Sequence, residues 1–192
     1  MDAKKTRERL IDAAYEELYS KGYQGAALAD ILRVAGVHKG SLYHFFAGKK
    51  DLAITAISER MAQRFAARYG TIAARGNDYV AALIDVLRDT SLRDFRRGCP
   101  LANLVQEMSN LDEDFDRALK AIYADYRATI RDILERAVAA GELRPCDTAR
   151  LATFITVVTE GAILAAKASG EIEDYSGSIE ELARSLAALK PT

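Results

Sequence analysis

The sequence predicts an all-α fold. Three observations carry that reading: apolar residues recur at helical spacing from residue 6 to residue 189, only 3 prolines interrupt the 192 residues, and no stretch alternates as a strand does. With 49% apolar and 29% charged residues, the composition is that of a folded chain with a substantial core.

The elements follow in order. Residues 6–21 form a first amphipathic helix with Leu10, Ile11, Ala14, Tyr15 and Leu18 on its buried stripe, and Gly22 stops it. Residues 28–50, LADILRVAGVHKGSLYHFFAGKK, read as two short helices pivoting on Gly36. Leu28, Ile31, Leu32 and Ala35 give the first an apolar face, and Val37 and Leu42 pack the second back onto it. Lys49 begins a long fourth helix carrying Leu52, Ile57, Met61, Phe65 and Tyr69 inward, with a boundary near 70–76. A fifth helix runs from Asn77 to about Ser91. A basic loop, 93–98, leads to Pro100 in the first turn of a sixth helix ending near Asn110. Asp112 caps the next helix, whose periodicity runs through residues 113–140 until Gly141 closes it. Pro145 breaks the chain, Asp147 caps a helix reaching about Ser169, and residues 178–189 complete the set. The expected organisation is a helix-turn-helix domain over 1–48 and a longer helical body over 49–192, the latter a ligand-binding and dimerisation domain only by the family resemblance that the N-terminal motif carries.

Charge is unevenly spread. Residues 1–50 carry nine Lys/Arg against six Asp/Glu, or +3; residues 51–192 carry 18 against 22, or −4. A basic head on an acidic body suits specific docking on DNA, although +3 is also within ordinary surface variation. Two cysteines, Cys99 and Cys146, are too few for a disulfide framework or a zinc cluster, so no metal or cofactor is expected. No apolar run approaches the roughly 20 residues that span a bilayer. The charged start MDAKKTRERL lacks the apolar stretch of a signal peptide, and the expected location is the cytoplasm. Catalysis is not expected: no Ser/His/Asp order or phosphate-binding glycine loop appears, and both histidines lie inside the helix-turn-helix, leaving Cys99 without a base.

The segments RERLIDAAYEELYSKGYQG, DILRVAGVHKGSLYHFF and GKKDL, within residues 6–57, resemble the TetR/AcrR family of transcriptional regulators. The resemblance implies that Lys39, Gly40, Ser41, Tyr43 and His44 face DNA, with Tyr43 and Lys49 holding phosphates, while the His38 imidazole would touch phosphate or a base or else point to solvent. Outside such a motif a solvated lysine or a core tyrosine would explain the same residues. Three positions depart from the family pattern. Ala26 and Ala27 stand where a capping hydroxyl is usual, His38 replaces a capping Ser or Thr, and Leu32 replaces a small residue where the two helices cross.

The resemblance further implies double-stranded operator DNA as partner and a homodimer through the last two helices. Leu151, Phe154, Ile155, Val158, Gly161, Ala162, Ala165 and Ala166 of the first, with Ile179, Leu182, Leu186 and Leu189 of the second, would pair there with their symmetry mates as a four-helix bundle, although both stripes also suit one monomer's core. A small-molecule effector would lie among Met61, Phe65, Tyr69, Leu104, Met108, Tyr123, Tyr126, Phe154 and Val158, each of which also suits plain core. The segment RRGCPLANLVQEMSN resembles a branch that includes NemR-like electrophile sensors, which makes Cys99 a candidate redox or electrophile sensor. The Pro100 helix start and the nearby Arg96 and Arg97 would favour its thiolate, whereas a small buried cysteine with no such role has the same sequence. The expected function is a ligand-responsive regulator acting as a repressor. A helical dimeric adaptor that no longer binds DNA is the alternative.

Overall fold

The computed structural model describes residues 3–191, and all regular secondary structure among them is helical. The helices are α1 (Ala3–Gly25), α2 (Leu28–Ala35), α3 (Lys39–Leu42), α4 (Lys49–Ala73), α5 (Tyr79–Arg88), α6 (Pro100–Met108), α7 (Glu113–Ala139), α8 (Thr148–Ser169) and α9 (Glu173–Ala187). The chain forms two compact units, one comprising residues up to Gln63 together with Pro100–Ile122, the other Arg64–Cys99 together with Tyr123 onward. The first unit thus runs past residue 48 into α4 and also takes in α6 and the start of α7. Residues 1, 2 and 192 of the expected spans lie outside the described residues.

In the first unit α1 buries Leu10, Ile11, Ala14, Tyr15 and Leu18 as its periodicity requires. It does not end at Gly22. The helix breaks there at φ 71° and then resumes for a turn. The Glu107 carboxylate on α6 accepts hydrogen bonds from Tyr23 N and Gln24 N, each at 2.9 Å, and so supplies acceptors for donors that a new helical turn leaves unpaired. Gly36 ends α2 in the left-handed region at φ 59°, with its N–H donating to Leu32 and Arg33 carbonyls. A side chain at Gly36 would also collide with the Arg9 guanidinium, which donates to the Gly36 carbonyl at 3.1 Å.

The second unit is built on one apolar cluster in which Tyr69, Leu83, Tyr126, Ile130, Ile155, Ile163, Tyr175 and Leu186 are all nearly inaccessible. Asp147 caps α8 by accepting from Arg150 N at 3.0 Å, as expected. Two helix starts differ from the sequence reading. α5 starts two residues late because Asp78 adopts a left-handed conformation, and the Glu142 carboxylate, not a local side chain, takes the Tyr79 and Val80 N–H groups. α9 starts five residues early because Tyr175, fully buried, anchors its first turn by donating from its hydroxyl to the Leu87 carbonyl at 2.6 Å.

α8 is long and apolar enough, by length and composition alone, to cross a bilayer, contrary to the expectation that no run would be. It is apolar on two faces. Ile155, Ala162 and Ala166 are buried in the unit's core, as are Ile179, Leu182 and Leu186 of α9. The expected pairing stripe is thereby corrected, since those six residues are consumed internally. Phe154, Val157 and Leu164 are left outward at 46%, 56% and 55% exposure, with exposed Gly161 between them. Their spacing of three, four and three residues is that of a helix-pairing seam.

Candidate functional site

α3 is only four residues long, and Leu42 explains why it holds its place: the side chain is fully buried and pins the turn against the unit's interior. Around that anchor His38, Lys39, Gly40, Tyr43 and His44 are exposed and Ser41 is half-buried. Tyr43 is 55% exposed, so its ring is no core aromatic. The structure thus gathers the six predicted contact residues on one short segment. Ala27 and His38 occupy the N-cap positions of α2 and α3 in extended conformation, and neither side chain makes a capping hydrogen bond. Leu32, the bulky replacement at the crossing, is accommodated as a buried residue.

The Lys49 ammonium, expected at a phosphate, donates to the Tyr23 carbonyl at 2.6 Å and lies 4.3 Å from the centroid of the Tyr23 ring. Burial holds its pKa below the ordinary lysine value, partly offset by Glu107. The sequence shows a lysine at a helix start, and only the path of residues 22–25 decides that a carbonyl and a ring reach it first. The neighbouring Lys50 is also engaged, with Asp112 at 3.1 Å and Asp114 at 2.6 Å.

The nine predicted effector-lining residues divide between the two units. Met61, Leu104 and Met108 are buried in the first. In the second, Phe65 stacks on Tyr126 with ring centroids 4.6 Å apart, and the Tyr69 and Tyr126 hydroxyls are 3.4 Å apart. Tyr123 and Val158 are half-buried, whereas Phe154 faces outward on α8. Two surface grooves of this unit, of about 400 Å³ beside α7 and α8 and about 530 Å³ beside α5, are lined by other residues. Nearby polar residues are otherwise engaged or outward: Gln106 is exposed, Glu107 serves the Gly22 break, and the Thr159 hydroxyl donates to Ile155 O at 2.8 Å.

Cys99, half-buried just before α6, hydrogen-bonds through its thiol to the Glu160 carboxylate. Burial pushes the Glu160 pKa up, against the pull of Arg93 and Arg68. Tyr126 is raised well above the ordinary tyrosine value by its own burial, and Tyr175 is pushed up to about 12 for the same reason. Glu160 was not singled out from the sequence. Its signal is an isolated acid inside the apolar α8.

Residues 10–56 match the family of bacterial regulatory proteins of the tetR type, and residues 76–181 match the tetracyclin repressor-like C-terminal domain. The chain belongs to the TetR family. It is similar to the transcriptional regulator AcuR of Cereibacter sphaeroides, 34% identical over 180 residues that cover 86% of this chain and 78% of that protein. Among solved structures it is similar to the regulatory protein TetR from Rhodobacter sphaeroides, at 32% identity and TM-score 0.80, covering 92% and 96% of the two chains. A cysteine mutant of the TetR family regulator CifR, complexed with 26-bp double-strand operator DNA, is 25% identical at TM-score 0.78, covering 91% of this chain and 94% of that one. Membership makes this TetR-family chain a transcriptional regulator and not an enzyme. Regulators of the family bind operator DNA as dimers.

Proposed function

We propose that this chain is a ligand-responsive repressor that binds operator DNA as a homodimer through an N-terminal head of about residues 1–48, acting in the cytoplasm. One observation carries the reading: His38, Lys39, Gly40, Tyr43 and His44 stand exposed around a buried Leu42, so the segment offers polar groups and a close backbone approach on a fixed base. Lys39, His38 and His44 meet phosphates or base edges, Gly40 lets the backbone come close, and the Ser41 and Tyr43 hydroxyls hold phosphate. One head grips too little duplex for specificity. Two heads placed about 34–36 Å apart reach successive major grooves. The outward seam Phe154, Val157, Gly161 and Leu164 supports pairing of α8 with its symmetry mate.

Release follows when a small molecule in the second unit, or modification of Cys99, favours a spacing of the heads that no longer fits the grooves. The unbroken α4 is the lever. Phe65, Tyr69, Tyr123, Tyr126 and Val158 of the proposed lining lie in that unit. A dimeric adaptor without DNA binding is the competing reading, favoured by the missing side-chain caps at Ala27 and His38. Sequencing the genomic fragments retained by the purified protein separates the two. Enrichment of discrete palindromic sites supports the repressor, and retention of no preferred duplex overturns it. Cys99→Ser with an undiminished response to electrophiles would exclude the thiol as a trigger.

A further inference from the structure

Two oppositely charged side chains of the second unit keep buried atoms without partners. Arg93 uses one nitrogen, Nη1, to donate to the Val86 carbonyl at 3.4 Å and to the Asp89 carbonyl, and its guanidinium lies 5.0 Å from the Tyr175 ring centroid. Its Nε and Nη2 are buried and unpaired. Those two N–H groups form one edge of the guanidinium, the edge whose spacing matches both oxygens of a carboxylate. Glu160 Oε2 is buried and unpaired as well, while the carboxylate accepts from the Cys99 thiol. Buried polar groups in folded proteins are almost always paired with protein, ordered water or a ligand, so this edge, on a side chain otherwise fixed in place, is open to a bound carboxylate.

We propose that Arg93 and Glu160 form the recognition site for a small monocarboxylate effector, whose two oxygens take the Nε and Nη2 edge of Arg93 and whose apolar body rests among the neighbouring tyrosine rings. The proposal rests on the reading of the second unit as effector-binding and names the chemical class. A cation at Glu160 is disfavoured because Arg93 and Arg68 both act on that carboxylate. A dianion is disfavoured because Arg93 offers one open edge and the Glu160 carboxylate already acts on that guanidinium. The groups that face Glu160 are the Cys99 thiol, the Arg93 and Arg68 guanidiniums and the hydroxyls of Tyr123, Tyr126 and Tyr175. An arriving carboxylate repels an ionised Glu160, so binding takes up a proton there and tightens as pH falls.

The test is calorimetric titration of the full chain with formate, acetate, propionate and benzoate, and with the matching amides, at about pH 6 and about pH 8. At least one carboxylate is expected to bind at least about tenfold more tightly than its amide, and more tightly at the lower pH. Arg93→Lys, which keeps the charge and loses the fork, should weaken that binding by at least about tenfold. Glu160→Gln should bind with a flattened pH dependence, and this variant decides the matter if Arg93 substitutions do not fold. Carboxylates indistinguishable from their amides would overturn the site, as would an unchanged affinity in Arg93→Lys or an unchanged pH dependence in Glu160→Gln. A crystal structure in which a buried water alone satisfies Arg93 in excess carboxylate would do the same. A gel shift run alongside keeps the two readings apart. Specific DNA binding with no carboxylate bound overturns only the site, whereas carboxylate bound without DNA release overturns only the release mechanism.

Discussion

Replacing Lys49 by Met separates two roles that its sequence position leaves indistinguishable. Met keeps an apolar stem against the Tyr23 ring and removes the ammonium. Lost with it are a charged hydrogen bond to the Tyr23 carbonyl at 2.6 Å and a cation–π contact at 4.3 Å. A hydrogen bond to a charged group contributes about 1.5–3 kcal/mol and a cation–π contact about 0.5–2 kcal/mol. Burial of the ammonium, visible in its lowered pKa, offsets part of that sum. The net destabilisation is therefore about 1–3 kcal/mol, or roughly 2–10 °C in Tm for a chain of this size. Thermal unfolding followed by circular dichroism reads that shift directly. Operator binding measured across a salt series supplies the second readout. A phosphate contact would flatten the slope of log K against log salt by about 0.9 for each head, whereas a structural lysine leaves the slope unchanged. An unaltered Tm together with a flattened slope would refute the structural assignment.

Lys39→Ala and Tyr43→Phe should each weaken operator binding by about 1–3 kcal/mol while leaving Tm within about 1 °C, because both side chains are exposed; gel-shift titration and thermal unfolding check the pair. Leu42→Ala, at a fully buried anchor, should cost about 2–4 kcal/mol of stability in chemical denaturation and abolish operator binding. Leu164→Arg should turn the dimer into a folded monomer in sedimentation, whereas Ile155→Arg, one face away and fully buried, should prevent folding. Glu160→Gln should raise Tm near neutral pH. The native carboxyl has a raised pKa, so its protonated form is the one folding favours; the native chain is least penalised below the ordinary Glu range and loses stability as pH rises through the raised value. The advantage of the Gln variant should accordingly grow from acid to neutral pH in a thermal-shift series.

Most of the fold was legible from residues 6–189 because helical periodicity is a local property. Each apolar stripe reports which face must be buried, and Gly36, Gly141 and Asp147 mark termini through backbone freedom and capping that need no distant partner. The helix-turn-helix was legible for the same reason: its turn, its buried Leu42 and its outward polar residues fall within one short stretch. Where the reading missed, the missing information lay far along the chain. α1 resumes after Gly22 because a carboxylate 84 positions away accepts the freed N–H of Tyr23, and α5 begins where Glu142 takes two more.

The effector region was least legible. An aromatic on a helix looks the same whether it lines a site or fills a core, and only packing places Phe65 on Tyr126 or turns Phe154 outward. The sequence by itself determined an all-helical TetR-family chain with a DNA-reading head, since periodicity, turn chemistry and motif spacing are written in neighbouring residues. Tertiary structure alone decided that Lys49 is consumed internally, which face of α8 remains open, and that Arg93 and Glu160 share one buried neighbourhood. Those outcomes depend on which distant groups reach a side chain first, and spacing along a chain carries no record of that.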